Sequence, residues 1–302
     1  MKKNRFYPLL LCIALSLAAC NKDDNAPSNQ NGDRPISLIG AEAKPYQQRM
    51  EVPEVKDQNM FIVHSTAKYG VTYTLEWNKD KRTQRWAAYS ITDLNAVSNW
   101  SRKNWEGATW QGITYDGDPF QEDPVMPTQY RTHLSDYSGS GYTRGHIVNS
   151  QDRLMSQNAN GQTFYLSNIQ PQLYHFNSGI WLTMENWVHN LGFNKSKRKV
   201  LYIVKGGTTT PTDKCPDPFL EEISIPVPRY FWMAILLLDN NNKYHAIAFW
   251  AKHENNSDTN IKNYTISIDE LEARTGIDFF PNLPDDVETS VEAVRNLSDW
   301  NW

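Results

Sequence analysis

The distribution of apolar residues along the chain predicts a mixture of strands and helices. Three runs, at residues 61–64, 71–77 and 84–91, have the length and the β-branched or aromatic content of strands. The last two flank the polar residues 78–81, which are typical of a hairpin turn. The amino-terminal part of the folded region is therefore predicted to supply strands to an antiparallel sheet.

The remainder of the chain adds further strands and one capped helix. The strand-like runs occupy residues 164–166, 199–204, 230–238 and 244–250. Consecutive Asp and Asn residues in 239–243 predict a hairpin turn between the last two runs. Residues 267–275 are predicted to form a helix capped by its first serine, and residues 99–105 a short one, whereas residues 107–140 are expected to be irregular. This pattern indicates a single α+β domain with a central, mainly antiparallel sheet.

A longer helix is predicted over residues 172–191, where apolar side chains recur every three or four positions. Pro171 precedes it, where a missing N–H costs nothing, and Gly192 follows it. On a regular helix Asn177 and Glu185 would lie about 80° apart around the axis and about 12 Å apart along it. Direct binding of one ion by both side chains is therefore not expected, and a bridging water held by Glu185 is the natural arrangement.

The segment 141–185 contains the densest group of chemically useful side chains. His146 can take a proton from water near neutral pH. An amide oxygen such as that of Asn177 suits Mg²⁺, which prefers oxygen ligands and keeps most of its waters. Arg144 offers a permanently charged, planar fork to phosphate oxygens. This inventory is typical of a nuclease that hydrolyses phosphodiesters with one hard cation.

Each residue also has an ordinary structural interpretation. A histidine beside a glycine is commonly a turn or core residue, and an Asn or Glu on a helix is commonly solvated. Asn168 could simply cap a turn before Pro171. Trp181 and Trp187 are predicted to pack in the core. The combination of these residues in one window, rather than any single one, favours the functional interpretation.

Three motifs in this window carry a family resemblance. They are Arg144-Gly145-His146, then the S-N-x-x-P-Q of residues 167–172, then the N-x-x-x-W-x-x-x-E that runs from Asn177 through Trp181 to Glu185. In order and spacing these motifs resemble the non-specific DNA/RNA endonucleases of the ββα-metal class. The resemblance extends over about residues 60–282.

The resemblance implies a role for each position. His146 would be the general base, Asn177 the only direct protein ligand of Mg²⁺ (with Mn²⁺ as the alternative), and Glu185 the holder of a metal-bound water. Arg144 would contact the phosphate, and Asn168 would orient nearby groups. The implied fold contains a ββα-metal motif, and the implied reaction cleaves both DNA and RNA to 5′-phosphate products. No protein partner is expected.

The chain departs from the family pattern at three positions, of which Thr143 and His189, together with the acidic charge of the chain, support an alternative function, while the change at Met233 is neutral. The family usually has Asp before Arg-Gly-His, where this chain has Thr143. A basic residue often follows the glutamate by one helical turn, and here His189 makes that second cationic contact depend on pH. Met233 stands where a lysine usually follows the aromatic residues of its strand. The alternative is a non-catalytic surface lipoprotein that binds nucleic acid with a degenerate nuclease fold.

The charge of the chain is acidic, which is unusual for a protein that binds nucleic acid. The formal net charge is −4, and removal of the three positive residues within residues 1–19 would leave −7. A nuclease needs only a local positive groove, since turnover gains nothing from tight substrate binding. The candidate groove cations are Arg144, Arg153 and the basic run in residues 195–199. Activity is expected to be strongly salt-sensitive.

The amino terminus predicts export. Lys2, Lys3 and Arg5 precede a short apolar run that has the proportions of a signal peptide rather than of a transmembrane helix. Residues 17–20 resemble a bacterial lipoprotein box, so residues 1–19 are predicted to be removed and Cys20 to carry lipid. The protein would then be an outer-membrane lipoprotein of the cell envelope, facing either the periplasm or the surface.

The remaining boundaries follow from composition. Residues 20–57 are predicted to be a lipidated, flexible tether, residues 58–282 the endonuclease domain, and residues 283–302 a tail. Of the three cysteines, only Cys215 would remain unmodified in the mature chain. A single thiol cannot form an intramolecular disulfide, so the fold must depend on its apolar core.

Overall fold

The structure is a computed structural model that describes residues 32–300 and 302. Its strands are β1 (Pro35–Ile39), β2 (Met60–Thr66), β3 (Gly70–Asn78), β4 (Thr83–Ile91), β5 (Glu106–Trp110), β6 (Ile113–Asp116), β7 (Thr143–His146), β8 (Ile169–Gln172), β9 (Val200–Gly207), β10 (Phe219–Leu220), β11 (Val227–Pro228), β12 (Tyr230–Leu238), β13 (Tyr244–Lys252) and β14 (Thr265–Ile266). Its α-helices are α1 (Gln157–Gln162), α2 (Tyr174–Phe176), α3 (Leu182–Phe193), α4 (Ile268–Thr275) and α5 (Asp285–Glu292).

Eight strands form the central sheet in the order β1-β2-β3-β4-β9-β12-β13-β14, and neighbouring strands pair antiparallel throughout. The predicted α+β domain with a mainly antiparallel sheet is confirmed. The predicted hairpin between β12 and β13 is also confirmed: Asp239 Oδ1 accepts hydrogen bonds from the backbone N–H groups of Asn241 and Lys243. This side chain closes the turn because Asp readily bonds backbone N–H groups a few residues on.

Both faces of the sheet are buried, which explains why β12 is apolar at nearly every position. Phe231, Met233 and Ile235 belong to one core, while Trp232 and Ala234 belong to the core on the opposite face. Side chains alternate across a strand, so a strand covered on both sides has no position left for polar residues. The first core lies under α3, and the second lies under α4 and α5.

The helix α4 forms as predicted. The Ser267 side chain accepts a hydrogen bond from the Glu270 backbone N–H. Gly276, at φ 64°, ends the helix in the left-handed conformation that glycine adopts without steric cost. The Glu270 side chain bonds Arg274 at 2.8 Å, so it is held along the helix and does not reach back to the cap.

Part of the predicted tether is ordered structure, and that boundary is wrong from residue 35 onward. Pro35–Ile39 pairs with β2 as the edge strand of the sheet, and Lys44–Gln48 forms a 3₁₀ helix. Polar composition suggested a flexible segment, but Ala43 and Val52 are fully buried in the second core. Cys20 and the predicted signal peptide lie outside the described residues.

Three local predictions also need correction. Residues 107–140, expected to be irregular, include the β5–β6 hairpin. Residues 164–166, expected to be a strand, lead into the 3₁₀ turn Leu166–Asn168, and the strand is Ile169–Gln172 instead. Pro171 therefore lies inside β8 rather than before a helix. A proline is tolerated there because β8 has only one hydrogen-bonded neighbour in its small sheet.

The carboxyl-terminal tail packs against α3. The Trp187 ring on α3 stacks on Trp302 at a centroid distance of 5.0 Å and contacts Trp300 at 5.6 Å. Cys215 is buried and unpaired, and burial raises the pKa of its thiol. No helix among the described residues is long and apolar enough to cross a bilayer.

Candidate active site

The two strands β7 and β8 form a separate ribbon that carries the Arg-Gly-His motif. Their register pairs Thr143 with Gln172 and His146 with Ile169. A Cβ atom on Gly145 would lie 2.2 Å from the Gln172 side chain, a distance that real Cβ atoms do not adopt. The Gln172 side chain thus occupies the space that a larger residue at position 145 would need, and it would have to move to admit one.

The helical segment after β8 is not the continuous helix that the periodicity predicted. The helix α2 passes into a wide turn of π type at Asn177–Trp181 and then into α3, with a kink at Gly179 (φ −105°, ψ −112°). Apolar periodicity cannot detect such a kink, because the buried side chains on either side of it still face the core. The separation calculated for Asn177 and Glu185 on a regular helix therefore does not apply.

His146 lies at the end of β7 between two phenylalanine rings. Its ring packs edge-on against Phe164 at 4.8 Å and against Phe120 at 5.5 Å. Its backbone carbonyl accepts a hydrogen bond from Trp181 Nε1 at 3.3 Å. The Nε2 atom is buried and has no hydrogen-bond partner among the described residues. Burial, reinforced mainly by the positive charge of Arg102, lowers the pKa of His146 to about 3, so the imidazole is neutral at physiological pH.

The Asn177 amide is held in one orientation by Thr143. Asn177 Nδ2 donates to Thr143 Oγ1 at 3.0 Å, and that hydroxyl donates to the Gln172 carbonyl at 2.8 Å. Since the hydroxyl proton is already used, Thr143 can only accept from Asn177. The amide oxygen Oδ1 makes no hydrogen bond within the described part of the chain and lines the cleft.

Glu185 is paired with a buried lysine that lies outside the three sequence motifs. Lys205 Nζ donates to Glu185 Oε1 at 2.9 Å, and the lysine side chain is fully buried. Burial raises the pKa of Glu185 although Lys205 opposes the change. Lys205 stands on β9 directly opposite Met233 in the register of the sheet, so a lysine from the neighbouring strand reaches the Glu185 carboxylate. A single charged residue inside the apolar run 200–207 could have identified Lys205 from the sequence as a candidate functional residue.

A cleft of about 880 Å³ joins these residues. The functional side chains that line it are Arg102, Lys103, Asp118, Thr143, Arg144, His146, Asn177 and Glu185. Four of these side chains, Arg144, His146, Asn177 and Glu185, were predicted site residues, and the structure brings all four together. Arg144 is exposed, with its guanidinium 4.1 Å from the centroid of the Phe120 ring.

Arg102, Lys103 and Asp118 were missed because they lie far from the motifs. Arg102 and Asp118 form a two-pronged pair at 2.7 and 2.5 Å. This pair depresses the pKa of the Asp118 carboxyl against the opposing effect of burial. Long-range placement of this kind leaves no pattern in a single sequence.

Asn168 and His189 do not line this cleft. The Asn168 amide accepts from the Val148 N–H and donates to the carbonyls of Val148 and Thr163, which ties the chain just after His146 into place. These bonds fix the backbone beside His146, and a functional role for Asn168 stays a prediction. His189 Nδ1 contacts Asp152 Oδ1 at 2.8 Å, so it occupies a structural position rather than one next to the substrate.

Two proposed groove cations are core residues. Arg153 is fully buried, with its guanidinium 4.4 Å from the Tyr89 ring centroid and Nη2 bonded to the Ser90 carbonyl. Arg198 is also buried and pairs with Asp93 at 2.8 Å. Neither can contact a phosphate, so the positive charge of the cleft comes from Arg102, Lys103 and Arg144 instead.

The donor set fits a single hard cation. Asn177 Oδ1 is held in a fixed orientation and accepts no hydrogen bond from the described residues. Glu185 Oε1 accepts from Lys205, which leaves Oε2 available to a cation or its water. Neither a thiolate nor a second imidazole lines the cleft among the described residues. Oxygen donors of this kind suit Mg²⁺ or Mn²⁺ rather than zinc or copper.

The paired strands β7 and β8, followed by a helix that carries the amide and the carboxylate, define a ββα-metal nuclease. The profile of the DNA/RNA non-specific endonucleases matches residues 58–286. This chain belongs to that family.

Named relatives are consistent with this assignment. A nuclease of Nostoc sp. (strain PCC 7120 / SAG 25.82 / UTEX 2576) is 31% identical over 232 residues, which are 73% of this chain and 75% of the relative. The mitochondrial nuclease EXOG of Xenopus laevis is 28% identical over 249 residues, 78% of this chain and 64% of that protein. The chain thus spans less than two thirds of the Xenopus protein.

A solved structure supports the fold. The chain is similar to one in the crystal structure of the EndoG/EndoGI complex, with a TM-score of 0.59 and 22% sequence identity, over 71% of this chain and 85% of the other. At that identity the likeness concerns the architecture. The nuclease class itself rests on the family profile and the sequence relatives.

Proposed function

We propose that this protein is a metal-dependent, sugar-non-specific endonuclease that hydrolyses DNA and RNA to 5′-phosphate products, with His146 as the general base. One observation carries the proposal: the neutral imidazole of His146 and the amide oxygen of Asn177, which has no hydrogen-bond partner among the described residues, belong to side chains that line the same cleft. A base and an oxygen ligand beside one open cleft can act on the same bound phosphate.

The residues of the cleft divide the chemistry between them. The His146 imidazole takes a proton from the attacking water, since the lowered pKa keeps the ring neutral and able to accept it. The phenylalanine rings at 4.8 and 5.5 Å restrict the imidazole to one orientation. Arg144, stacked on Phe120, presents its N–H groups to a phosphate oxygen.

The proposed metal site consists of Asn177 Oδ1, with Glu185 Oε2 placed to hold a metal-bound water. A divalent ion held there would supply Lewis-acid polarisation of the phosphate and would stabilise the leaving oxygen. Lys205 keeps Glu185 oriented through the 2.9 Å contact. Because contacts to the sugars and phosphates of a nucleic acid carry no sequence information, we expect little preference for particular bases at the cleavage site.

The test is nicking of supercoiled plasmid and cleavage of a structured RNA with added Mg²⁺, in parallel with chelator and with Mn²⁺. We expect both nucleic acids to be cut, only with metal, and the new ends to accept ligation directly because they carry 5′-phosphates. Products with 5′-hydroxyl ends, or cleavage that persists in chelator, would contradict the proposed mechanism.

The same assay separates the alternative function. A degenerate, non-catalytic nucleic-acid-binding lipoprotein would retard DNA on a gel but leave the plasmid supercoiled under every metal condition. The intact set of four cleft residues favours the enzyme. A protein that only bound nucleic acid would not need a neutral histidine base in the same cleft as the arginine and the oxygen ligand.

We further propose, from the sequence alone, that Cys20 carries lipid and anchors the enzyme in the cell envelope. Labelling of the wild type, but not of Cys20→Ser, by a fatty-acid analogue is the expected result. Equal labelling of the two would overturn this part of the proposal.

A further inference from the structure

Two helices outside the cleft bring three carboxylates together. The helices α4 and α5 both pack on β13 and both contribute to the second core, through Ile268 and Leu271 on α4 and Val287 and Val291 on α5. Carboxylate oxygens of Asp269, Glu272 and Glu292 lie within 4.8 Å of one another. The cluster therefore lies where α5 docks against α4.

Glu292 is the unusual member of this cluster. This residue is only 4% exposed, and its Oε1 atom is buried without a hydrogen-bond partner among the described residues. Glu272, in contrast, accepts a hydrogen bond at Oε1 from the Phe279 backbone N–H at 2.7 Å. A buried carboxylate oxygen without a donor is costly unless a cation or a proton compensates it.

The surroundings of Glu292 supply further negative charge. Burial first, and then the carboxylates of Glu272, Glu288 and Asp269, raise the pKa of Glu292 to about 9. Burial likewise raises the pKa of Glu272 to about 7. On the same helix, Arg274 is engaged elsewhere, since it pairs with Glu270 at 2.8 Å and stacks on Trp250 at 5.0 Å.

We propose that Asp269, Glu272 and Glu292 bind a hard divalent cation, calcium, that joins α4 to α5. The ligands are all carboxylate oxygens, which calcium accepts in flexible geometry with six to eight donors. Asp269 is exposed, so water can complete the shell from that side. This site is separate from the cleft and has a structural role, because it neutralises the charge under α5 and holds the last helix on the sheet.

The test is the melting temperature of the full mature protein, stripped with chelator and then titrated with Ca²⁺. At one hundred times the dissociation constant we expect the wild type to melt about 5 °C higher than in chelator. Glu292→Gln should lose this response. It should also melt in chelator no lower than the wild type, because glutamine keeps the size of the side chain and replaces a group whose charged form burial disfavours, so a folding defect would be recognised.

Glu270→Gln is the matched control. It removes a carboxylate from the same helix, but one that pairs with Arg274 and lies outside the cluster, and it should respond to Ca²⁺ like the wild type. Equilibrium dialysis should find one fewer bound calcium in Glu292→Gln than in Glu270→Gln. No response of the wild type, or equal responses of wild type and Glu292→Gln, would overturn the proposal.

Discussion

Thr143 Oγ1 accepts a hydrogen bond from Asn177 Nδ2 at 3.0 Å while it donates to the Gln172 carbonyl at 2.8 Å. This relay from β8 through β7 to the helix leaves only one orientation of the Asn177 amide compatible with the network. The departure of Thr143 from the usual family aspartate thus has a local function in this chain. It turns Oδ1 toward the position where the proposed cation would bind.

Removal of the Thr143 hydroxyl should weaken metal binding without changing the fold. We expect Thr143→Val to require about 10 to 100 times more Mg²⁺ for half-maximal nicking, the usual cost of losing a partner that orients a metal ligand. Thr143→Ser keeps the hydroxyl and should behave like the wild type. An unchanged Mg²⁺ requirement in Thr143→Val would show that the relay does not position Asn177.

Loss of Lys205 should destabilise the protein strongly. Lys205→Met leaves the Glu185 carboxylate buried without its cation, and breaking such a pair costs about 3 kcal/mol. Urea unfolding measures this free energy. Because burial raises the pKa of Glu185 even with Lys205 present, burying the ionised pair itself costs folding free energy.

The double variant Glu185→Gln/Lys205→Met should therefore recover most of the stability but not the nicking rate. A single Lys205→Met variant as stable as the wild type would argue against the ion pair. Recovery of the nicking rate in the double variant would instead argue against a role for Glu185 in catalysis.

The acid limb of the pH–rate profile should lie well below the ordinary histidine value of about 6.5. Burial and the nearby Arg102 lower the pKa of His146 to about 3, so the basic form persists as the pH falls. Activity is then lost only as the pH approaches that lowered value, or as Glu185 takes up its proton. The profile of kcat/KM between pH 4 and 8 measures this, and a midpoint at 6.5 or above would contradict it.

Salt dependence should distinguish cations of the cleft from those of the surface. Arg144→Ala should reduce the slope of log affinity against log salt by about 1, as expected for one lost phosphate contact. Lys195 is exposed and lies outside the cleft, so Lys195→Ala should leave the slope unchanged. Filter binding with Ca²⁺ in place of Mg²⁺ compares the two variants, and equal slopes would remove Arg144 from the phosphate site.

The sequence predicted the elements whose signal is local. The strands β12 and β13, the turn between them and the capped helix α4 all form at their predicted positions. Hydrophobic runs, Asp and Asn in turns and a serine cap act through neighbours a few residues apart, so a single sequence contains them. The four cleft residues were likewise found because their motifs fall within one window.

What the sequence missed depends on contacts between distant segments. The edge strand β1 has polar flanks, and it is held by pairing with β2 and by hydrogen bonds from α1 side chains. The kink at Gly179 left the apolar periodicity intact. Lys205 reaches Glu185 from another strand, and Arg102 enters the cleft from a segment more than 40 residues before His146. No short-range pattern encodes these placements.

The most direct test of the central claim is the single-turnover cleavage rate of His146→Ala, measured with Mg²⁺ beside its affinity for the same DNA. We expect a rate lower by about 10² to 10⁴, the usual contribution of a general base, with DNA affinity changed less than about threefold because the phosphate contacts remain. A variant that cleaves as fast as the wild type would contradict the assignment of His146 as the base.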